Sequence, residues 1–469
     1  MGTLKKKNLL NIGFQPGEAL KLALAAMADP RMAGKRRDQQ LELLEQLLRN
    51  PEGFRKHQVL GPVVDALIGA LEPKHPVLRG APLPFRVYGA DQIEAGAMQQ
   101  MRTAMSLPVA AAGALMADAH QGYGLPIGGV LAVEGAVIPY AVGVDIGCRM
   151  CLSVYEADER YLERHQSQLR RHLLEETVFG TGAGPARPMA DPVLERREFQ
   201  EIEVLKPLRD KAWRQIGSSG SGNHFVEFGV LELMHPEPGW ALPPGRYLAL
   251  LSHSGSRGLG AAVAGHFTRV ARETVRLPQE AQHLAWLRLD TEAGQAYWAA
   301  MNLAGDYASA CHDHIHRKLA RAIGLEPRFR VENHHNFAWK ERLPDGREAI
   351  VHRKGATPAG AGVLGVIPGS MTAPGFLVRG TGSPESLSSA SHGAGRRMSR
   401  TEARRQTTRY AMERHLREQG VELIGGDVDE SPAAYKDIAA VMAAQRELVE
   451  VLGRFEPRIV RMATEAGED

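Results

Sequence analysis

The chain has 469 residues, too many for one simple core, so one large domain with insertions or two domains is expected. Hydrophobic residues make up 43%, and no apolar run is long enough to cross a bilayer, which argues against a membrane-spanning helical protein. A formal net charge of +3, from 57 basic and 54 acidic residues, does not announce nucleic-acid binding, so only local clustering of charge could inform.

The basic start Met1–Asn8 runs into NLLNIGF, too short and too polar for a secretory core. Three cysteines, Cys148, Cys151 and Cys311, cannot form a fully paired framework, and a reducing, cytoplasmic setting is expected. From Pro16 to Leu71, GEALKLALAAMAD, DQQLELLEQLLRN and GPVVDALIGALE repeat apolar residues every three or four positions and predict helices. The run Glu72–Pro84, with four prolines, reads as a linker. The expected division is a helical amino-terminal region, 1–80, and a second domain, 81–469.

From Phe85 onward, short β-prone runs (GVLAVEGAVIPYAVGV, RYLALLSHS, GVLGVIPGS, GFLVRG) alternate with glycine-rich turns and longer helical stretches, which predicts a mixed α/β or α+β domain. Helices are predicted over Asp91–Met105, Tyr161–Glu175, Ala261–Thr274, Ala293–Ile323 and Ala394–Glu418, with a surface loop over Gly180–Pro192. No glycine-rich piece has the spacing of a P-loop or a dinucleotide fingerprint.

The segment Met116–Cys151 packs Asp118, His120, Asp145 and Cys148 among glycines. Further histidines lie in turn-like settings: His224 in SGSGNHFVEFG, His253 in LSHSGSRGLG, His335 in ENHHNFAW and His392 in SASHGAGRRMSR. A single histidine is more often a surface or satisfied core residue, but four beside an Asp-x-x-Cys turn are harder to dismiss. Asp145, Cys148, His224, His253 and His335 together offer carboxylate, thiolate and imidazole donors for a divalent transition metal, and donor softness alone favours zinc. In SACHDHIHRK, Cys311, His312, His314 and His316 include a four-residue histidine spacing, but their charged neighbours suggest a solvated face. His392 precedes GAGRRMSRTEARR, where a glycine turn leads into a predicted arginine-rich helix. A helix amino terminus there would attract phosphate and keep His392 neutral and nucleophilic, with Arg396, Arg400 and Arg404 on one face. A solvent-exposed amphipathic helix explains the same arginine stripe equally well.

With these segments in hand, the chain resembles the RtcB family of RNA ligases from about Val87 to Lys436. The blocks are DAHQGYGLPIGGV, VGVDIGC, GSGNHFVEFG, HSGSRGLG, HHNFAW, HRKGATPAG, IPGSM, SHGAGRRMSR and ESPAAYKD, in that order. The resemblance implies an α/β fold with a deep dinuclear metal pocket, two Mn2+ ions, and GTP as cofactor. It implies joining of RNA 3′-phosphate or 2′,3′-cyclic phosphate ends to 5′-hydroxyl ends, in tRNA splicing or RNA repair. Asp145, Cys148, His224, His253 and His335 match the metal ligands, with Cys148 bridging, and His392 matches the histidine that carries GMP. Asn223, Glu227 and Tyr435 match nucleotide contacts, and Gly393, Ala394 and Gly395 form the turn expected beside them. Arg257, Lys354, Arg396 and Arg400 match basic residues of the phosphate and RNA path. Asp118 and His120 are expected to support the pocket from behind the ligands.

Three features depart from the family pattern. Met462, or with a one-residue slip Arg461, stands where a lysine meets the guanine. Thr372, Ala373, Pro374 and Gly375 follow IPGSM where a glycine and a base-contacting serine are usual. The amino-terminal helices lie outside the resemblance. The alternatives are a metal-dependent RNA-end phosphoesterase with weakened nucleotidyl transfer and a non-catalytic RNA-binding protein. The RNA substrate and the need for an activating protein partner are left open; no membrane association is expected.

Overall fold

A computed structural model describes residues 4–32, 34–71 and 76–464. It divides into two compact units, residues Met1–His75 with Glu273–Arg276, and Pro76–Arg272 with Leu277–Asp469. In the first, the predicted helices form over Glu18–Ala28, Arg37–Arg49 and Gly61–Leu71, preceded by Lys6–Asn11. Their apolar stripes, including Leu20, Leu44, Leu47, Val63 and Val64, close on one another as a core of their own. Of the expected linker, residues 72–75 lie outside the described residues. Its remainder has no regular secondary structure, and Arg79 in it donates to the carbonyls of Pro108 and Ala110 at 3.0 and 3.2 Å.

The second unit carries two main sheets, of mixed α/β class as expected. The larger has eight strands. Seven run in the order Leu364–Ile367, Gly375–Gly380, Val449–Met462, Phe225–Leu233, Gly245–Ser254, Arg149–Asp158 and Pro327–His334, and Glu422–Ile424 pairs beside Val449–Met462. All pairings but the last are antiparallel. On one face Val226, Phe228, Leu248 and Leu250 meet the helices Glu159–Glu176 and Glu292–Ile323 through Leu169, Leu173, Ile315 and Leu319. On the other, Leu231, Leu251 and Phe455 pack with Trp240, whose ring stacks on Phe329 at 4.0 Å. The smaller sheet orders Arg86–Val87, Ala110–His120, Ile127–Val133, Glu348–Lys354 and Asn336–Arg342.

The helix predicted over Ala394–Glu418 does not form as one element; helices span Arg400–Gln406 and Arg409–Glu418 instead. Gly395 is left-handed (φ 71°), Arg396 bridges to Tyr435 as an isolated β pair, and Ser399 and Thr408 cap the two helices by accepting from the amides of Glu402 and Ala411. Arg396 is therefore not on a helix with Arg400 and Arg404, and no helix amino terminus follows His392 directly. The arginine-stripe argument for a phosphate site fails on this geometry.

Candidate functional site

The register of the larger sheet gathers the candidate ligands at one end of four adjacent strands. Phe225 pairs with His253, Met150 with His253, and Arg149 with both Ser254 and His334. That brings Cys148, which precedes its strand, beside His224, which precedes the next but one. His335 falls between the last strand of the larger sheet and Asn336–Arg342 of the smaller, at the joint between the two sheets.

The donor atoms converge. Cys148 Sγ lies 3.4 Å from His224 Nε2 and 3.1 Å from His253 Nε2, and His253 Nε2 lies 3.2 Å from His335 Nε2. Asp145 Oδ2 is 3.0 Å from His224 Nε2, while Oδ1 accepts from the Ser256 amide at 3.0 Å. His253 Nδ1–H donates to the Asn223 carbonyl at 3.0 Å, so its Nε2 is a bare lone pair aimed at the group. Burial first, then the neighbouring His224, pushes the His253 imidazole down to about 3, and His335 is held well below its ordinary value for the same leading reason. Against the upward push of burial, the hydrogen bond with His224 keeps the Asp145 carboxyl below the usual range. Cys148 goes the other way: burial and the Asp145 carboxylate raise it well above an ordinary thiol. Neutral imidazoles with lone pairs facing one another beside a thiol repel unless a cation lies between them. The donor set therefore fits a divalent transition metal, and metal dependence is its chemical reading.

Two glycines make the convergence possible. A Cβ on Gly220 would lie 2.0 Å from His224 Nδ1, and one on Gly255 would lie 2.1 Å from both Asp145 carboxylate oxygens. Any side chain there would displace a ligand.

His392 adjoins this cluster, its ring 4.9 Å from that of His335. Asp118, fully buried, accepts on Oδ2 from His392 Nδ1–H at 2.6 Å and from the amides of His392 and Gly393 at 3.1 and 3.3 Å. The bond places the proton on Nδ1 and leaves Nε2 free to attack. Asp118 thus supplies what the absent helix terminus does not. His120 donates from Nδ1 to the Asp118 carbonyl at 3.1 Å, and burial takes its imidazole down to about 4.

A cavity of about 330 Å³ opens from His392 and is lined by Asn223, Glu227, Gly393, Ala394, Gly395 and Tyr435, together with Arg396, Arg400 and the 368–375 turn. Glu227 is buried and lies opposite Val460 on the neighbouring strand, and burial alone lifts its carboxyl well above the ordinary range. Strand alternation resolves the carboxy-terminal register. Met462 lines the cavity, while Arg461 faces away and caps the helix Glu159–Glu176 through the carbonyls of Leu174 and Thr177 at 2.7 and 3.0 Å. Tyr435 donates to Glu430 and lies under the Arg396 guanidinium, 5.3 Å from ring centroid to Cζ. Arg400 pairs with Asp429 at 2.6 Å and also with Glu430.

Two expected basic residues turn away from the cavity lining. Arg257 is buried and donates to Ser218 Oγ at 3.1 Å and to the Gly180 carbonyl at 2.5 Å, so it braces the 180–183 loop. Lys354 donates to the Tyr123 carbonyl at 2.7 Å with its ammonium 4.9 Å from the Tyr140 ring centroid, and burial takes it down to about 7.

The solvated face expected for Cys311, His312, His314 and His316 is overturned: all four are buried. His312 and His316 gather with Cys151, but their nitrogens are already used. His312 Nε2–H donates to the Ser254 carbonyl at 3.2 Å, and its Nδ1 accepts from Ser252 at 2.7 Å. Ser252 accepts from His316 Nε2–H at 2.8 Å, and His316 Nδ1 accepts from Ser153 at 2.8 Å. One consistent chain of protons satisfies two neutral imidazoles, so this is a polar core and not a ligand set. Sequence spacing offered no sign of the serines, which lie on two different strands.

The sequence model of the family described as tRNA-splicing ligase RtcB matches residues 100–203 and 193–463. The RNA-splicing ligase RtcB of Escherichia coli strain K12 is 34% identical over 394 residues, covering 77% of this chain and 92% of that protein. That of Mycobacterium tuberculosis is 31% identical over 422 residues (75% and 96%), and the tRNA-splicing ligase RtcB of Thermococcus kodakarensis is 29% identical over 458 residues (80% and 94%). The chain belongs to the RtcB family.

Proposed function

We propose that this chain, an RNA ligase by family, joins RNA 3′-phosphate ends to 5′-hydroxyl ends through a nucleotide carried on His392. The observation that supports this most is the His392–Asp118 pair: an imidazole fixed with Nε2 free, set between a metal-ligand cluster and a cavity of nucleotide size. In the proposed sequence, His392 Nε2 attacks the α-phosphorus of GTP and pyrophosphate leaves. An oxygen of the RNA 3′-phosphate then attacks that phosphorus and the P–N bond breaks. The 5′-hydroxyl finally attacks the RNA 3′-phosphorus and GMP departs. A 2′,3′-cyclic phosphate would first be opened by water. Asp145, Cys148, His224, His253 and His335 would hold two Mn2+ ions, which when bound would neutralise phosphoryl charge. Asn223, Glu227, Tyr435 and the Gly393–Gly395 turn would hold the nucleotide, with Arg396 and Arg400 at its phosphates. Lys354 and Arg257 would act by holding loops in place and not as free phosphate cations. The amino-terminal helices would serve as a separate module, and a cytoplasmic setting suits the three free cysteines.

Met462 favours a second reading, an RNA-end phosphoesterase with weakened nucleotidyl transfer, because an apolar side chain lines the cavity that also takes in the buried Glu227. One experiment separates the two. The protein is incubated with α-labelled GTP and Mn2+, with ATP in parallel, then given RNA bearing 3′-phosphate and 5′-hydroxyl ends. The ligase reading expects an acid-labile label on the protein, lost in His392→Ala, and a sealed product. No label with either nucleotide would refute it in favour of the phosphoesterase; label without sealing would refute the assignment of the RNA ends.

A further inference from the structure

We propose that the rim beside His392 carries a stacking platform for a nucleobase of an RNA end, with the exposed ring of Tyr123 as its face. This rests on the ligase reading above and names how the RNA, as opposed to the nucleotide, is held.

The enclosed side of the site is the 330 Å³ cavity with Glu227 and Tyr435, and a nucleotide placed there leaves the RNA ends to approach His392 from outside it. Tyr123 is not among the residues lining that cavity, yet it is tied closely to the reacting centre. A Cβ on Gly355 would stand 3.2 Å from His392 Cε1, so the backbone at 355 borders the nucleophile directly. The preceding residue, Lys354, reaches from there to the Tyr123 carbonyl at 2.7 Å.

The ring is both open and fixed. Tyr123 is 67% exposed, which leaves its ring open to solvent. Its edge is held by Tyr140 (6.5 Å, 88°) and by His283 (6.0 Å, 66°), which pack on each other at 5.0 Å. The next residue, Gly124, lies against His283, where a Cβ would come within 3.0 Å. Tyr410 and Trp213 are also exposed, but no ring contact fixes either among the described residues. A rigid, open aromatic face with a lysine anchoring its backbone is what single-stranded RNA ends need, because every unpaired base offers a π face regardless of sequence. A protein partner would call for a broader apolar area than one ring.

The test uses the full chain and a short RNA carrying 2-aminopurine in the terminal nucleotide, placed next to the 3′-phosphate in one oligonucleotide and next to the 5′-hydroxyl in another. Stacking quenches 2-aminopurine emission, and affinity is read from the same titration. Wild type and Tyr123→Trp should bind and quench at one of the two positions. Tyr123→Ala and Tyr123→Leu should bind that end about tenfold more weakly and lose the quench, as expected for one lost base–aromatic contact. Tyr123→Leu keeps apolar bulk without a π face, so a loss shared with Tyr123→Ala points to stacking. Equal affinity and quenching in all four proteins would overturn the platform and leave the ligase reading standing. Wild type that binds neither RNA would overturn both.

Discussion

Replacing Asp118 by asparagine tests the tautomer on which the nucleotidyl step depends. One buried oxygen, Asp118 Oδ2, serves three donors: His392 Nδ1–H at 2.6 Å and the amides of His392 and Gly393 at 3.1 and 3.3 Å. A charge-assisted bond of this kind contributes about 1.5–3 kcal/mol net, or roughly ten- to 150-fold in rate if it is realised in the transition state. In Asp118→Asn an amide rotated towards the ring donates to Nδ1, which puts the proton on Nε2 and removes the nucleophile. Tautomer inversion of this sort in the Asp–His pair of serine proteases costs about 10⁴ in turnover. The expected fall in the rate of His392 labelling by α-labelled GTP therefore lies between about 10² and 10⁴, with metal content unchanged because Asp118 touches no ligand nitrogen among the described contacts. A quenched-flow or gel time course reads the rate, and inductively coupled plasma mass spectrometry reads the metal. Labelling within threefold of wild type would refute the assignment of Asp118 as the residue that sets the tautomer.

Gly220→Ala should weaken metal binding about tenfold or more, because its Cβ would meet His224 Nδ1 at 2.0 Å. Gly265→Ala, whose Cβ meets open space on the helix Arg257–Thr274, should keep full metal content and serves as the control. Met462→Lys would place a cation in the cavity that Glu227 shares, hold that carboxyl ionised, and raise GTP over ATP binding about tenfold, roughly 1.4 kcal/mol; unchanged selectivity in a calorimetric titration would count against Glu227 as the base contact. His352 gives a pH prediction remote from the ligands. Its Nδ1–H donates to Leu131 and its Nε2 accepts from the Ile138 amide at 2.9 Å, so the protonated ring would lose an acceptor, and burial takes it from 6.5 to about 4. Between those values the unfolded chain binds the extra proton, so stability falls as pH drops through the window, by up to about 3 kcal/mol. Denaturant titrations at pH 7 and pH 4 should show that loss, and His352→Gln should reduce it.

The candidate ligands were legible from donor types because a thiol, a carboxylate and histidines in glycine-rich turns have few other uses together. Which strand ends would meet was not, since antiparallel register is set by pairings more than a hundred residues apart, such as Met150 with His253. The histidines on Glu292–Ile323 misled for a related reason. Their charged neighbours look solvated in sequence, but the helix is buried on several sides, and Arg330 and Asp191 from other elements meet the charges or imidazoles there. The break after His392 was hidden because TEARRQ and RYAMERHLRE each read as helix, and only the caps at Ser399 and Thr408 separate them from what precedes. Spacing could not say which of Met462 and Arg461 faces the cavity, because strand alternation within the folded sheet sets that.

The position of His335 at the joint between the two sheets has a consequence for assembly. An ion held by His335 together with Cys148 and His253 would act as a clasp that closes one sheet upon the other, so its binding energy would also be cohesion energy for the catalytic unit. At a free metal concentration a hundred times the dissociation constant this amounts to about 2.7 kcal/mol. Scarcity of the ion would then loosen the joint on which the ligand cluster depends, so that metal supply would govern how long the folded protein lasts as well as how fast it turns over.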